Sequence, residues 1–264
     1  MIKKAIIMVV TTLLASQAQA AIKTDTVNYK SADGTVMEGY VAYDDAVKTR
    51  RPGILIVHDW MGLGQFAKDK AEQLAKEGYV AFAVDIYGKG VRPTTPDEAK
   101  TLATKYKDDR ALLRMHAAAA YDVLASMRQV NARKIVVMGY CFGGTTALEL
   151  ARNGALLVGT ASFHGGLSTP TPEDAKNIHG RVLVMHGADD PHVPPAEVQA
   201  FKKEMKDAHV KMKFVAYPGA VHAFTNPAAG NDNSKGAAYN AAADKASWVE
   251  FEKFLKAVAP IKAS

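Results

Sequence analysis

The stretch Lys134-Ile135-Val136-Val137-Met138-Gly139-Tyr140-Cys141-Phe142-Gly143-Gly144 decides how this chain is read. An apolar, strand-like run leads into a cysteine set among close glycines, and a helix-like segment follows over 143–153. A nucleophile at such a strand-to-helix junction marks a nucleophile elbow, a sharp and strained turn. Glycines two residues before and two after the nucleophile let the two backbones approach without Cβ clashes. Cys141 is the only cysteine of the 264 residues.

Working outward, the remaining chain alternates strand and helix signals. Residues 24–30 and 35–43 read as two strands joined by Ser31-Ala32-Asp33-Gly34, with Asp-Gly at the turn. The run Ile54-Leu55-Ile56-Val57-His58 is continuously apolar up to its last residue, as a strand buried on both faces requires. A helix is expected over 65–78, ended by Gly78, and a strand over 79–84, closed by Asp85. Residues 88–96 read as a Gly- and Pro-rich loop. Two helical segments are expected between 97 and 128. Further strands are expected over 133–138, 156–162, 181–186 and 210–217, with a helix over 195–208. A final amphipathic helix over 238–257 carries Trp248, Phe251, Phe254 and Leu255 at helical spacing as core residues. This alternation predicts an α/β fold, a mostly parallel central sheet with helices on both faces. Residues 21–264 are expected to form a single domain.

The first twenty residues read as a signal peptide: Lys3 and Lys4, an apolar core over 5–14, and Ala18-Gln19-Ala20 as the cleavage site. The mature chain would start at Ala21 and lie in the periplasm or be secreted, with no membrane attachment after cleavage. The net charge is +6. Lys3 and Lys4 are the only charges of the first twenty residues, so the mature chain keeps four excess positive charges. These are dispersed rather than clustered, which argues against nucleic-acid binding. A lone cysteine forms no internal disulfide. The sequence carries no signal for an oligomeric state.

In a parallel sheet the chemistry lies beyond the carboxyl ends of the strands, and each candidate residue follows a strand. After Cys141 come an acid, in His186-Gly187-Ala188-Asp189-Asp190-Pro191-His192-Val193-Pro194, and a histidine, in Tyr217-Pro218-Gly219-Ala220-Val221-His222-Ala223-Phe224. Nucleophile, acid, histidine is the chain order expected of α/β-hydrolases. A thiol with pKa near 8.5 needs a base, because the thiolate is the nucleophile. His222 is placed to take that proton and to return it to a leaving group, and an aspartate to hold the imidazole tautomer. Asp190 is favoured over Asp189, because Asp-x-x-Val-Pro suits a loop that turns its acid inward. His222 is favoured over His192, a loop histidine. The backbone N–H groups of Phe142 and Trp60 are the expected oxyanion hole. Trp60, Met61 and Tyr87 are expected either to wall an apolar pocket beside the thiol or to be buried under a loop, and His164 either to line that pocket or to be a loop histidine bonded to backbone. The five histidines that follow strands (58, 164, 186, 192 and 222) show no zinc-ligand spacing, so neither metal nor cofactor is expected.

The Gly-Tyr-Cys-Phe-Gly-Gly elbow, the Asp-x-x-Val-Pro loop and the His-Ala-Phe loop resemble the dienelactone hydrolase family of α/β-hydrolases over nearly all of residues 25–257. The resemblance implies a Cys-His-Asp triad and a small-molecule ester or lactone substrate. It also implies a thiol-activating carboxylate at Asp59, where the family has glutamate. The family's two substrate-binding arginines fall at Lys89 and Asn226. Lysine offers a point charge without the bidentate fork, and asparagine no charge, so dienelactone itself is not the expected substrate. The competing expectation is a non-catalytic periplasmic small-molecule binding protein on the same fold.

Overall fold

In a computed structural model that describes residues 21–261, one eight-stranded sheet organises the chain. The expected signal peptide lies outside the described residues. The strands are β1 (Ile22–Lys30), β2 (Val36–Asp44), β3 (Arg51–Val57), β4 (Val80–Val84), β5 (Val130–Tyr140), β6 (Gly159–Phe163), β7 (Arg181–Gly187) and β8 (Met212–Tyr217). Their spatial order is β1-β2-β4-β3-β5-β6-β7-β8. β1 and β2 form an antiparallel hairpin, β2 pairs antiparallel with β4, and every later pair is parallel. β3, β4 and β6 are buried at every residue; in β4 and over Ile54–Val57 of β3 the sequence is accordingly an apolar run without alternation, whereas β6 includes the buried hydroxyls of Thr160 and Ser162.

The helices are α1 (Gln65–Lys76), α2 (Pro96–Asp108), α3 (Arg110–Ser126), α4 (Phe142–Arg152), α5 (Pro195–Asp207) and α6 (Ala241–Val258). α1 and α6 cover one face of the sheet through Ala67, Ala71, Leu74, Phe251 and Leu255. α2, α3 and α4 cover the other through Tyr106, Leu113, Ala117, Phe142 and Leu150. α5 packs Phe201 and Met205 on Val182, Val184 and Leu148. Local chemistry sets the helix starts. The Thr95 hydroxyl accepts the Glu98 N–H, with Pro96 in the first turn of α2, and Asp109 accepts the Leu112 N–H to begin α3. The strand expected over 156–162 begins later, at Gly159, and Leu156 is exposed. The chain is still leaving the Gly154 turn at that point, so an apolar residue there reports no burial.

The elbow depends on close backbone approach. A Cβ on Gly139 would lie 2.0 Å from the Gly143 carbonyl oxygen, and one on Gly143 would lie 2.3 Å from the Val57 carbonyl oxygen. Both obstacles are backbone atoms that cannot swing aside. Gly143→Ala is therefore expected to cost roughly 3 kcal/mol or more, a Tm decrease of about 6–12 °C for a domain of this size. Calorimetry checks this, and an unchanged Tm would contradict it. α4 is buried along its whole length, and its last residue, Arg152, is fully buried. The Arg152 guanidinium donates to Glu149 at 2.9 Å and to Glu204 of α5 at 2.7 Å, so the charge is paired as burial demands.

Candidate active site

Cys141 occupies the junction between β5 and α4 with φ 53° and ψ −114°, a conformation that non-glycine residues rarely adopt. Its N–H donates to the Phe163 carbonyl at 3.0 Å, tying the elbow to β6. The turn lifts the half-buried side chain above the sheet. His222 lies in the loop after β8, and the segment beside it grips its backbone. His222 N–H donates to the Gly236 carbonyl, and Ala238 N–H donates to the His222 carbonyl. The next residue, Ala223, has φ 56°. His222 Nε2 lies 3.0 Å from Cys141 Sγ, and its Nδ1 lies 2.8 Å from Asp190 Oδ2. The other Asp190 oxygen accepts the His192 N–H at 2.8 Å.

The competing residues take other places. Asp189 accepts the Gly219 N–H at 3.0 Å on the exposed side of its loop. The His192 ring meets the His222 ring edge-on at 5.1 Å. Asp190 and His222, rather than Asp189 and His192, are thus the pair gathered at the thiol.

The electrostatics follow from that geometry. Burial of the Cys141 thiol opposes ionisation, but the His222 imidazole beside it outweighs burial and holds the thiol below its usual pKa. Burial also opposes charge on His222, yet the Cys141 thiolate and the Asp190 carboxylate raise it to about 10. Burial pushes Asp190 up, and its hydrogen bond to His222 more than reverses this. Together these favour a thiolate–imidazolium pair. Lys107, on the last turn of α2, adds a positive charge that also favours the thiolate. Nothing in the sequence marks this lysine, because only the folding of α2 brings it near.

Two backbone donors face no protein acceptor among the described residues. Phe142 is the first residue of α4, where an N–H has no intrahelical partner. Among the described residues the Trp60 N–H likewise has no acceptor, whereas the Met61 and Gly62 N–H groups that follow it both donate to Asp59. Met61 N–H donates to Asp59 Oδ1 at 2.8 Å, and Tyr87 Oη donates to the Trp60 carbonyl at 3.1 Å. The Trp60 side chain is exposed.

Five expected site residues take other roles. The Asp59 carboxylate is occupied by Met61 N–H and makes no hydrogen bond to Cys141 among the described residues. Its charge raises the thiol pKa rather than lowering it. Asp59→Asn, which keeps an oxygen for Met61, is therefore expected to change the alkylation rate of Cys141 by less than about threefold. A larger decrease with iodoacetamide would restore the activating role. Tyr87 and His164 are buried rather than open to a substrate. Tyr87 holds up the Trp60 loop, whereas His164 hydrogen-bonds to Thr225 Oγ1 at 2.8 Å with its ring against His222 and Phe224. Lys89 is exposed and, among the described residues, has no hydrogen bond or ion pair to the site; its N–H donates to Val36. The Asn226 oxygen accepts the Ala228 N–H and caps a short 3-10 turn, Pro227–Ala229. Among the described residues no group of three His, Cys, Asp or Glu side chains is placed to hold a metal ion, and no helix is long and apolar enough to cross a membrane.

The sequence model of the Dienelactone hydrolase family matches residues 37–259. The chain belongs to the dienelactone hydrolase family. The solved structure called m3DLH is 36% identical, with a TM-score of 0.86 over 90% of this chain and 99% of that one. A dienelactone hydrolase-like promiscuous phosphotriesterase from metagenomic libraries is 34% identical, with a TM-score of 0.85 over the same shares. A Bradyrhizobium protein named probable 2-oxo-3-(5-oxofuran-2-ylidene)propanoate lactonase is 30% identical over 76% of this chain and 86% of its own length. This member of the dienelactone hydrolase family has the α/β-hydrolase fold, and it is a hydrolase of carboxylic ester or lactone bonds acting on a small-molecule substrate. The expectation of a non-catalytic binding protein is set aside by that membership.

Proposed function

We propose that this hydrolase works through a thioester formed on Cys141, with His222 as general base and acid and Asp190 as its orienting carboxylate. The observation that carries the reading is the continuous contact from Sγ to Nε2 at 3.0 Å and from Nδ1 to Oδ2 at 2.8 Å. The Cys141 thiolate attacks the substrate carbonyl carbon, and the Trp60 and Phe142 N–H groups receive the developing oxyanion. The His222 imidazolium gives its proton to the departing alcohol. In a lactone that alcohol remains joined to the acyl chain. His222 then takes a proton from water, whose oxygen attacks the thioester; the acid departs and the thiolate–imidazolium pair is restored. Asp190 keeps Nε2 facing the sulfur throughout.

The positions matching the family's paired arginines hold Lys89 and Asn226, so neither offers a guanidinium, and the Asn226 oxygen is taken up by its own cap. That favours a neutral ester or lactone over an anionic one. Hydrolysis of p-nitrophenyl acetate by the wild type, beside Cys141→Ala, tests the reading. We also infer export, to the periplasm or outside the cell, from the pattern of the first twenty residues. N-terminal sequencing of the natural protein should begin at Ala21, and retention of Met1 would refute it.

A further inference from the structure

His58 follows β3 and is 1% exposed, yet both of its ring nitrogens are engaged. Ile86 N–H donates to Nε2 at 3.1 Å. Nε2 is therefore the acceptor, and the ring proton resides on Nδ1. Nδ1 faces the Asp59 carbonyl oxygen and donates to it. The same oxygen also receives the Gly62 N–H at 3.3 Å. Burial favours this neutral ring, pushing its pKa down to about 4.

The Asp59 carbonyl and the Trp60 N–H are the two ends of one peptide unit. In a planar trans peptide they point in opposite directions. A hydrogen bond that fixes the carbonyl therefore fixes where the N–H aims. The His58 ring also stacks on Phe142, centroids 5.7 Å apart and planes 16° apart. It meets the edge of Tyr87 at 4.8 Å, and Tyr87 donates back to the Trp60 carbonyl. His58 thus touches the elements that carry both free donors, while it has no hydrogen bond to the thiol, His222 or Asp190 among the described residues.

We propose that His58 is a positioning residue for the oxyanion hole, its Nδ1–H holding the Asp59 carbonyl so that the Trp60 N–H is aimed at the reacting carbonyl oxygen. The proposal rests on the assignment of Trp60 and Phe142 as the oxyanion donors. It predicts an effect on acyl transfer that spares thiol ionisation, because the donors meet only charge that develops in the transition state.

The test compares the full chain with its His58→Leu and His58→Asn variants. Two rates are measured: p-nitrophenyl acetate hydrolysis and alkylation of Cys141 by iodoacetamide. Asparagine places an amide nitrogen near the position of Nδ1 and keeps a donor for Asp59, but it is too short to accept from Ile86. Leucine supplies neither. Both variants share the loss at Ile86, so any difference in kcat between them reports the Asp59 bond. His58→Leu is expected to lower kcat roughly 10- to 100-fold, with KM changed less than about threefold. His58→Asn should recover at least about fivefold of that loss. Alkylation should stay within about threefold of wild type in both, since displacement at an alkyl carbon forms no oxyanion. Equal kcat in the two variants, or an alkylation rate that falls in step with kcat, would overturn the proposal. Turnover that persists in Cys141→Ala would instead remove the thioester reading beneath it.

Discussion

Cys141→Ala is expected to lower kcat for p-nitrophenyl acetate by at least about 10⁴-fold while leaving the fold intact. The methyl group removes the proposed nucleophile but nothing that holds the elbow together. Alanine is no harder to place at φ 53° than cysteine is, and the Cys141 N–H bond to the Phe163 carbonyl is a backbone bond that survives the change. The remaining rate would come from the two N–H donors and from substrate positioning. An unchanged Tm together with lost turnover is the expected pair of results. Lost turnover with a lowered Tm would point to damage at the junction, and retained turnover would mean that another group attacks the carbonyl.

Asp190→Asn should lower kcat by roughly 10³- to 10⁴-fold, although the two side chains have the same shape. The carboxylate accepts from His222 Nδ1, which forces the other nitrogen to face the sulfur as an acceptor. An asparagine amide can present its N–H₂ instead, turning the imidazole so that Nε2–H faces Sγ, where it cannot take a proton. The pH dependence has a definite sign. In the wild type the thiol ionises below its usual pKa because the imidazolium stabilises the thiolate, and Asp190 supports that imidazolium. Without the carboxylate, His222 loses basicity, and the thiolate appears only at higher pH. Thiolate absorbance followed by pH titration should therefore inflect at higher pH in Asp190→Asn than in wild type. An inflection at the same pH would show that Asp190 does not act on the pair.

Much of this architecture is legible in residues because the constraints are local. β3 and β4 are recognisable as runs of apolar side chains because both faces of each are covered. The elbow is recognisable because only glycine tolerates the contacts at 139 and 143. Leu156 misleads for a complementary reason: apolarity signals burial only on average, and this leucine lies outside the sheet.

The site is less legible, because its details depend on which way a loop turns. Asp189 and Asp190 are adjacent and chemically identical, and the register of a single turn sends one to His222 and the other to Gly219. His164 follows a strand as pocket residues do, but its ring is folded beneath the His222 loop and bonded to Thr225. Lys89 and Asn226 occupy the matching chain positions without being gathered at the thiol. Asp59 shows how a carboxylate one methylene shorter than glutamate can be spent on its own loop, here at the Met61 N–H. The contribution of His58 is invisible in sequence, since it lies in the orientation of a peptide plane rather than in a motif.

The most direct test of the central claim is to trap the acyl-enzyme. Wild-type protein is mixed with p-nitrophenyl acetate, quenched in acid within the first turnovers, digested and weighed peptide by peptide. The account predicts a single acetyl group on the peptide that contains Cys141, absent from Cys141→Ala and removed from that peptide by neutral hydroxylamine, as a thioester requires. Rapid turnover with no acetylated Cys141 peptide, or with the acetyl group on another residue, would contradict it.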